Sequence, residues 1–198
     1  MDRREEIIYA ALELASECGL RAVSLSQIAD RVGIKKPSLY NHFASKDEIV
    51  EAMYVYLREQ AKKCAVPIPT DKLYGMKLAQ ILSVCMDGYV RFLSDADIQR
   101  FFKVLYSERT TSAAAAGILL EESARMTASV RELFYALAVH GIMKSDGIDR
   151  AALSYAYTIH TMVDNCMDRV TAGEEEKLRV TEEMQQYIAW FAGIMKGE

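Results

Sequence analysis

The chain has 198 residues, 51% of them hydrophobic and 26% charged, with a formal net charge of −4. That is enough apolar material for one or two small packed domains. The acidic balance, with a pI near 5.5, excludes bulk electrostatic coating of nucleic acid.

No N-terminal leader is read. The longest stretch free of Asp, Glu, Lys and Arg, Ala151 to Val163, is too short to span a bilayer. The expectation is a cytoplasmic protein with no membrane partner. No strand pattern of useful length appears, so an all-α fold is expected.

Asp2 and Glu5 have capping-box spacing and open a first helix, with Ile8, Ala11, Leu12, Ala15 and Cys18 on its inner stripe and Gly19 at its end. Ser24 and Gln27 form a second box. Leu25, Ile28, Ala29 and Val32 follow as one apolar stripe about two turns long, and Gly33 stands where a left-handed residue stops the helix. Pro37 suits the first turn of the next helix. Leu39 and Phe43 bury one side of it, leaving Lys36, Ser38, Tyr40, Asn41 and His42 on the other. Ser45 and Glu48 then cap a fourth helix carrying Ile49, Met53, Tyr56 and Leu57 to about Lys63.

Two short helices joined by a tight turn make a helix-turn-helix, which points to double-stranded DNA. From Arg31 to Lys46 there are four basic residues, Arg31, Lys35, Lys36 and Lys46, and no acid. Ser38, Tyr40 and Asn41 add short donors and acceptors for phosphates or base edges. Lys46 lies at a helix N-terminus, where the dipole also attracts a phosphate. The same spacing also fits an ordinary helical hairpin with a solvated polar face.

Val66-Pro67-Ile68-Pro69 breaks any helix and marks a boundary between a domain of residues 1–64 and one of 65–198. Beyond it the reading is helical throughout. One helix runs from about Asp71 to Leu93, with Leu73, Met76, Leu82, Met86, Tyr89 and Leu93 inward. A shorter one follows Asp95 with Phe101, Phe102, Leu105 and Tyr106. A long segment ends at His140-Gly141 and is divisible near Gly117. Asp149 caps a helix from Arg150 to about Thr171, and a last helix spans Glu174 to Lys196, with Glu174–Glu176 in its first turn.

The last two helices are apolar over more than one face, through Ala151, Ala152, Tyr155, Thr158, Ile159, Met162 and Trp190. They need cover on more than one side. A second copy would supply it, and a twofold dimer would double the base pairs read. The four cysteines, Cys18, Cys64, Cys85 and Cys166, lack metal or redox spacing and read as small core residues.

The motifs Ile7-Ile8-x-Ala10-Ala11-x-x-Leu14, Gly19-Leu20-x-x-Val23-Ser24, Ile28-Ala29-x-x-Val32-Gly33 and Ser38-Leu39-Tyr40-x-His42-Phe43-x-x-Lys46-x-Glu48-Ile49 resemble the tetracycline-repressor (TetR/AcrR) family of bacterial transcriptional regulators. The resemblance runs from about Arg4 to Lys62. It implies a three-helix DNA-binding domain, then a larger helical domain for effector binding and dimerisation through a four-helix interface. It implies phosphate contacts from Tyr40, His42 and Lys46, with Lys36, Pro37, Ser38 and Asn41 facing the major groove. Asn41 stands where many members carry a larger aromatic residue. With Ser24 and Lys35 these residues complete the candidate DNA-binding set.

Met86, Tyr89, Met126, Tyr155 and His160 are candidate walls of an effector pocket, since Met and Tyr suit an apolar or amphipathic small molecule. His160 and Asp164, four apart on one helix face, read either as a buried hydrogen-bonded pair or as a ligand or metal site. Two ligands fall short of a metal centre. No nucleophile–base pair, zinc-protease motif or phosphate loop is present, so no catalytic residue, metal or cofactor is expected. The expected function is a ligand-responsive regulator, a repressor that binds a palindromic operator as a homodimer. The rival is a helical small-molecule binding protein or enzyme with a vestigial helix-turn-helix.

Overall fold

The structure is a computed structural model describing residues 2–64 and 75–197, with only the backbone described at residues 57 and 60–64. The Val66–Pro69 break, the helix start at Asp71, Leu73, and the side chains of Leu57 and Cys64 lie outside the described residues. Among those described, the regular elements are helices: α1 Arg3–Cys18, α2 Leu25–Val32, α3 Lys36–Leu39, α4 Lys46–Cys64, α5 Leu78–Leu93, α6 Ala96–Glu108, α7 Ala113–Val139, α8 Ile148–Thr171 and α9 Glu182–Met195.

Local signals set the first helices. Asp2 accepts the Glu5 N–H at 2.8 Å while its own N–H donates to the Glu5 carboxylate. Ser24 and Gln27 do the same for α2. Gly33 takes φ 73°, ψ 32°, so the Ile34 N–H reaches the Ala29 carbonyl and the Gly33 N–H that of Asp30. This double closure ends the helix and needs a residue at ease in the left-handed region. Cys18 departs from expectation. It is exposed, because it falls in the last turn of α1 and its thiol turns back onto the Leu14 carbonyl.

Two compact units emerge, Met1–Ala65 with Asp95–Leu120, and Val66–Ser94 with Glu121–Glu198. In the first, α1 packs on α2, α4 and α6, and α4 also meets α6. Its centre is Ile7, Leu12, Ile28, Leu39, Phe43, Ile49 and Met53, with Phe101, Val104 and Leu105 from α6. A polar knot reinforces the α1–α6 contact. The Tyr9 hydroxyl donates to Asp97 at 3.0 Å, and Arg100 donates to both at 2.7 Å. Thus α6, read from sequence as part of the second domain, packs with the N-terminal helices.

In the second unit α9 packs on α5 and α8. Tyr155 sits among Phe134, Phe191 and Tyr187, with ring centroids 5.5, 4.8 and 5.9 Å away. Four boundaries differ from the sequence reading. α7 runs unbroken through Gly117, since a lone glycine inside a long helix is tolerated when its neighbours propagate the ladder. α8 begins at Ile148 behind Gly147, so Asp149 lies in the first turn and accepts from Tyr135 instead of capping. α5 begins at Leu78, because residues 75–77 are not helical.

The last helix starts at Glu182, capped by Thr181, not at Glu174. The reason lies upstream. Gly173 at φ 79° closes α8, with the Glu174 N–H on the Arg169 carbonyl and the Gly173 N–H on that of Val170. Glu174–Glu176 therefore belong to the connection, where Glu175 grips Arg179 through two bonds of 2.9 and 3.1 Å.

Candidate nucleic-acid interface

The reading segment is built on a very short helix. α3 spans only Lys36–Leu39, and the chain continues in tight turns, with the His42 and Phe43 N–H groups on the Leu39 carbonyl. Leu39 and Phe43 are buried at 0% and 1% exposure and anchor its inner side. Lys35, Lys36, Pro37, Tyr40 and Asn41 are exposed along one contiguous surface, with Ser38 and His42 half-buried beside them. This side offers two ammonium groups, a hydroxyl, a phenol, an amide and an imidazole, a set suited to phosphates and base edges.

Three residues, two of them charged, behave differently from a count along the sequence. Arg31 turns away from this surface toward α1, bonding Glu13 at 3.3 Å and Glu17 at 3.1 Å. Its hydrogen bond holds the Glu17 carboxyl below the usual range. The basic charge on the reading face is therefore smaller than the four residues suggest. Lys46 is half-buried, its Nζ donating to the Leu20 carbonyl at 2.7 Å. An ammonium has three donors, so this bond leaves capacity for a phosphate. Ser24 is exposed, but its hydroxyl is engaged with Gln27 in the α2 cap.

Arg4 and Glu48 take part in a way sequence reasoning missed. Arg4 donates to the His42 carbonyl at 2.6 Å and to the Glu48 carboxylate at 3.2 Å, with its guanidinium 4.0 Å from the Phe43 ring centroid. Glu48 accepts the Ala44 N–H at 2.7 Å. The capping box of Ser45 and Glu48 is thus modified. Ser45 still accepts the Glu48 N–H, but the carboxylate reaches Ala44, one residue earlier. That amide first, and Arg4 second, hold the Glu48 carboxyl below its ordinary range. One signal in the sequence hinted at this: a cation in the first turn of α1 opposes the helix dipole.

In the second unit the candidate effector residues separate into two groups. Tyr89, Met126 and His160 converge. The Tyr89 hydroxyl lies 3.0 Å from His160 Nδ1 and 3.9 Å from the Met126 sulfur, and His160 Nε2 faces Asp164 at 3.5 Å. A proton on Nε2 satisfies both ring contacts, with Tyr89 donating to Nδ1. Met86 and Tyr155 are buried at 2% and 6% exposure, and burial drives the Tyr155 phenol far above its usual range. A cleft of about 180 Å³ lies elsewhere in this unit, between Met162, Arg169, Glu175, Arg179 and Glu182. Among the described residues no cluster of three His, Cys, Asp or Glu side chains suits a metal, and no helix is long and apolar enough to cross a membrane.

Large apolar side chains stay exposed on α8 and α9: Leu153 at 48%, Tyr157 at 49%, Trp190 at 59% and Ile194 at 46%. Ile188 and Phe191, on the other side of α9, are at 1% and 3%.

Residues 7–53 match the family model described as bacterial regulatory proteins, tetR family. The HTH-type transcriptional repressor KstR2 of Mycobacterium tuberculosis is 33% identical over 88 residues, covering 41% of this chain and 44% of that protein. The HTH-type transcriptional activator FasR of Mycolicibacterium smegmatis is 42% identical over 52 residues, 26% of this chain and 24% of that protein. The chain thus spans less than half the length of these relatives, and both a repressor and an activator are among the proteins it resembles in part. The fold extends further. A TetR-family structure from Mesorhizobium loti superposes with a TM-score of 0.72 at 17% identity, covering 99% of this chain and 100% of that one.

Proposed function

We propose that the chain, whose residues 7–53 match the tetR-family model, is a ligand-responsive transcriptional regulator of that family. In this reading it represses by gripping a palindromic DNA operator as a homodimer, and a small-molecule effector releases it. The observation that carries this is the reading segment itself. Lys35, Lys36, Pro37, Tyr40 and Asn41 stand exposed on a turn of helix whose other side is locked into the core by Leu39 and Phe43.

Tyr40, His42 and Lys46 take phosphates, which set register and orientation. Lys36, Pro37, Ser38 and Asn41 meet the major groove, where base edges are distinguishable. Lys35 adds backbone attraction, and Ser24 contributes through the α2 N-terminus it caps. The exposed Leu153, Tyr157, Trp190 and Ile194 are the surface a second copy covers. Repression is the sign carried by the KstR2 relative. The regulator reading is preferred to an enzyme with a vestigial helix-turn-helix, because the lysines and Tyr40 of the reading face are intact.

The effector must bind the DNA-incompetent conformation more tightly than the competent one, or it shifts nothing. We place its polar anchor at Tyr89 and His160, with Met126 beside them and Met86 and Tyr155 behind. Effector binding there changes the spacing of the two reading segments.

The test is selection of duplexes from a random-sequence pool by the purified protein. An inverted repeat with half-sites about one helical turn apart is expected. Asn41→Ala should relax one symmetric pair of positions, by roughly 1–3 kcal/mol of discrimination. No enriched motif with the wild-type protein would overturn the reading.

A further inference from the structure

We infer that Arg4 is a positioning residue for DNA reading: locked to Glu48, its guanidinium holds residues 42–44 and thereby sets where Tyr40, Asn41 and His42 meet DNA, without itself touching DNA. The inference rests on the DNA-binding function proposed above.

Three successive residues are held by this one pair. The His42 carbonyl accepts from Arg4, the Phe43 ring lies under the guanidinium, and the Ala44 N–H donates to Glu48. The bond between Arg4 and Glu48 joins the two halves of the clamp. The segment needs such a clamp. A helix of four residues has no stability of its own. Leu39 and Phe43 pin its inner side, but the outer side chains hang on the backbone that follows.

The position of Arg4 has no explanation within α1. A cation in the first turn opposes the macrodipole. Its neighbour Arg3 pairs along the same helix with Glu6, whereas Arg4 reaches across 38 and 44 residues of sequence to His42 and Glu48. The arrangement also needs arginine. One planar group serves a carbonyl, a carboxylate and a ring face at once, which an ammonium does not match.

Arg4 and Glu48 are 48% and 39% exposed. A pair so exposed contributes little to folding. Its effect is geometric, so it should appear in sequence discrimination and not in the melting temperature.

The test uses the full chain and two probes, the duplex enriched by the wild-type protein and a shuffled duplex of equal composition. Arg4→Gln and Arg4→Lys should each weaken binding to the enriched duplex by about tenfold, the scale of one well-placed charge-assisted contact. Binding to the shuffled duplex, the salt-dependence slope and the melting temperature should stay near wild type. Arg4→Gln combined with Glu48→Gln should be no worse than Arg4→Gln alone, as expected for one coupled unit.

Wild-type behaviour of Arg4→Lys would overturn the proposal. Equal losses on both duplexes would too, whether the slope falls by about one unit, marking a direct phosphate contact, or stays the same, marking a loss of folded protein. Should Arg4→Gln fail to fold, Arg4→Lys and Glu48→Gln carry the same comparison. Hydrogen exchange at the Ala44 amide reads the clamp without DNA. It should quicken in Arg4→Gln, and unchanged exchange would overturn the proposal even if no enriched duplex were obtained. Absence of an enriched duplex, by contrast, counts against the DNA-binding function and not against the clamp.

Discussion

Lys46 donates a 2.7 Å hydrogen bond to the carbonyl oxygen of Leu20. The residue at the start of α4 thus already ties that helix to the loop between α1 and α2, and any phosphate it takes must share the ammonium with this carbonyl.

Lys46→Ala should therefore have two effects. Loss of the charge-assisted bond should lower stability by about 1 kcal/mol, seen as an earlier urea midpoint. Loss of a phosphate contact should weaken binding to operator and unrelated DNA alike and lower the salt-dependence slope by about one unit. An unchanged slope with lowered stability would make Lys46 a structural residue alone.

The dimer surface is to be tested on the exposed side of α9. Ile188 and Phe191 are buried within the protomer, so a charge there would unfold the chain instead of splitting a dimer. Trp190→Glu with Leu153→Glu should yield folded monomers in sedimentation, with helical content retained. A wild-type protein already monomeric at micromolar concentration would remove the interface.

Effector response should follow Tyr89 and His160 more than Tyr155. Tyr155→Ala removes the hub of an aromatic cluster and should cost about 3–5 kcal/mol of stability. Tyr89→Phe removes only the hydroxyl that lies 3.0 Å from His160. It should raise the effector concentration needed for DNA release while leaving operator affinity near wild type. Release at the wild-type concentration would place the polar anchor elsewhere.

Acid should weaken the first unit. The Glu17 carboxyl is lowered by its hydrogen bond from Arg31, and that of Glu48 by the Ala44 amide and then Arg4. A lowered folded-state pKa stabilises the fold above the unfolded value, and that contribution is lost as pH falls through the folded one. Both carboxylates are more than a third exposed, so urea midpoints should drop only slightly as pH falls below the ordinary carboxylate value of 4.5. Glu17→Gln with Glu48→Gln should flatten this acid limb. A limb as steep as wild type in the double variant would assign the loss to other carboxyls.

The sequence by itself determined the parts of this protein whose causes lie within a few residues. Ser24 and Gln27 cap α2 because their spacing lets each reach the other's backbone. Gly33 ends it because only a residue at ease with positive φ completes the closure. Leu39 and Phe43 face inward because four residues return the chain to one side of a turn. Helix ends where local signals compete are not settled by the sequence alone. The acids Glu174–Glu176 looked like a helix start, but Gly173 had already closed α8, and the cap that opens α9 is Thr181.

Only the tertiary structure decided where charges point and what α6 packs on. Summing charge from Arg31 to Lys46 treats every side chain as facing solvent. In the fold Arg31 is drawn to Glu13 and Glu17, and Lys46 to the Leu20 carbonyl. The Arg4–Glu48 clamp joins residues 44 apart, and the Tyr9–Asp97–Arg100 knot joins residues about 90 apart. No periodicity along the chain encodes such a meeting. It arises only when burial of apolar faces brings α1, α4 and α6 together and leaves their polar ends to find partners across the gap.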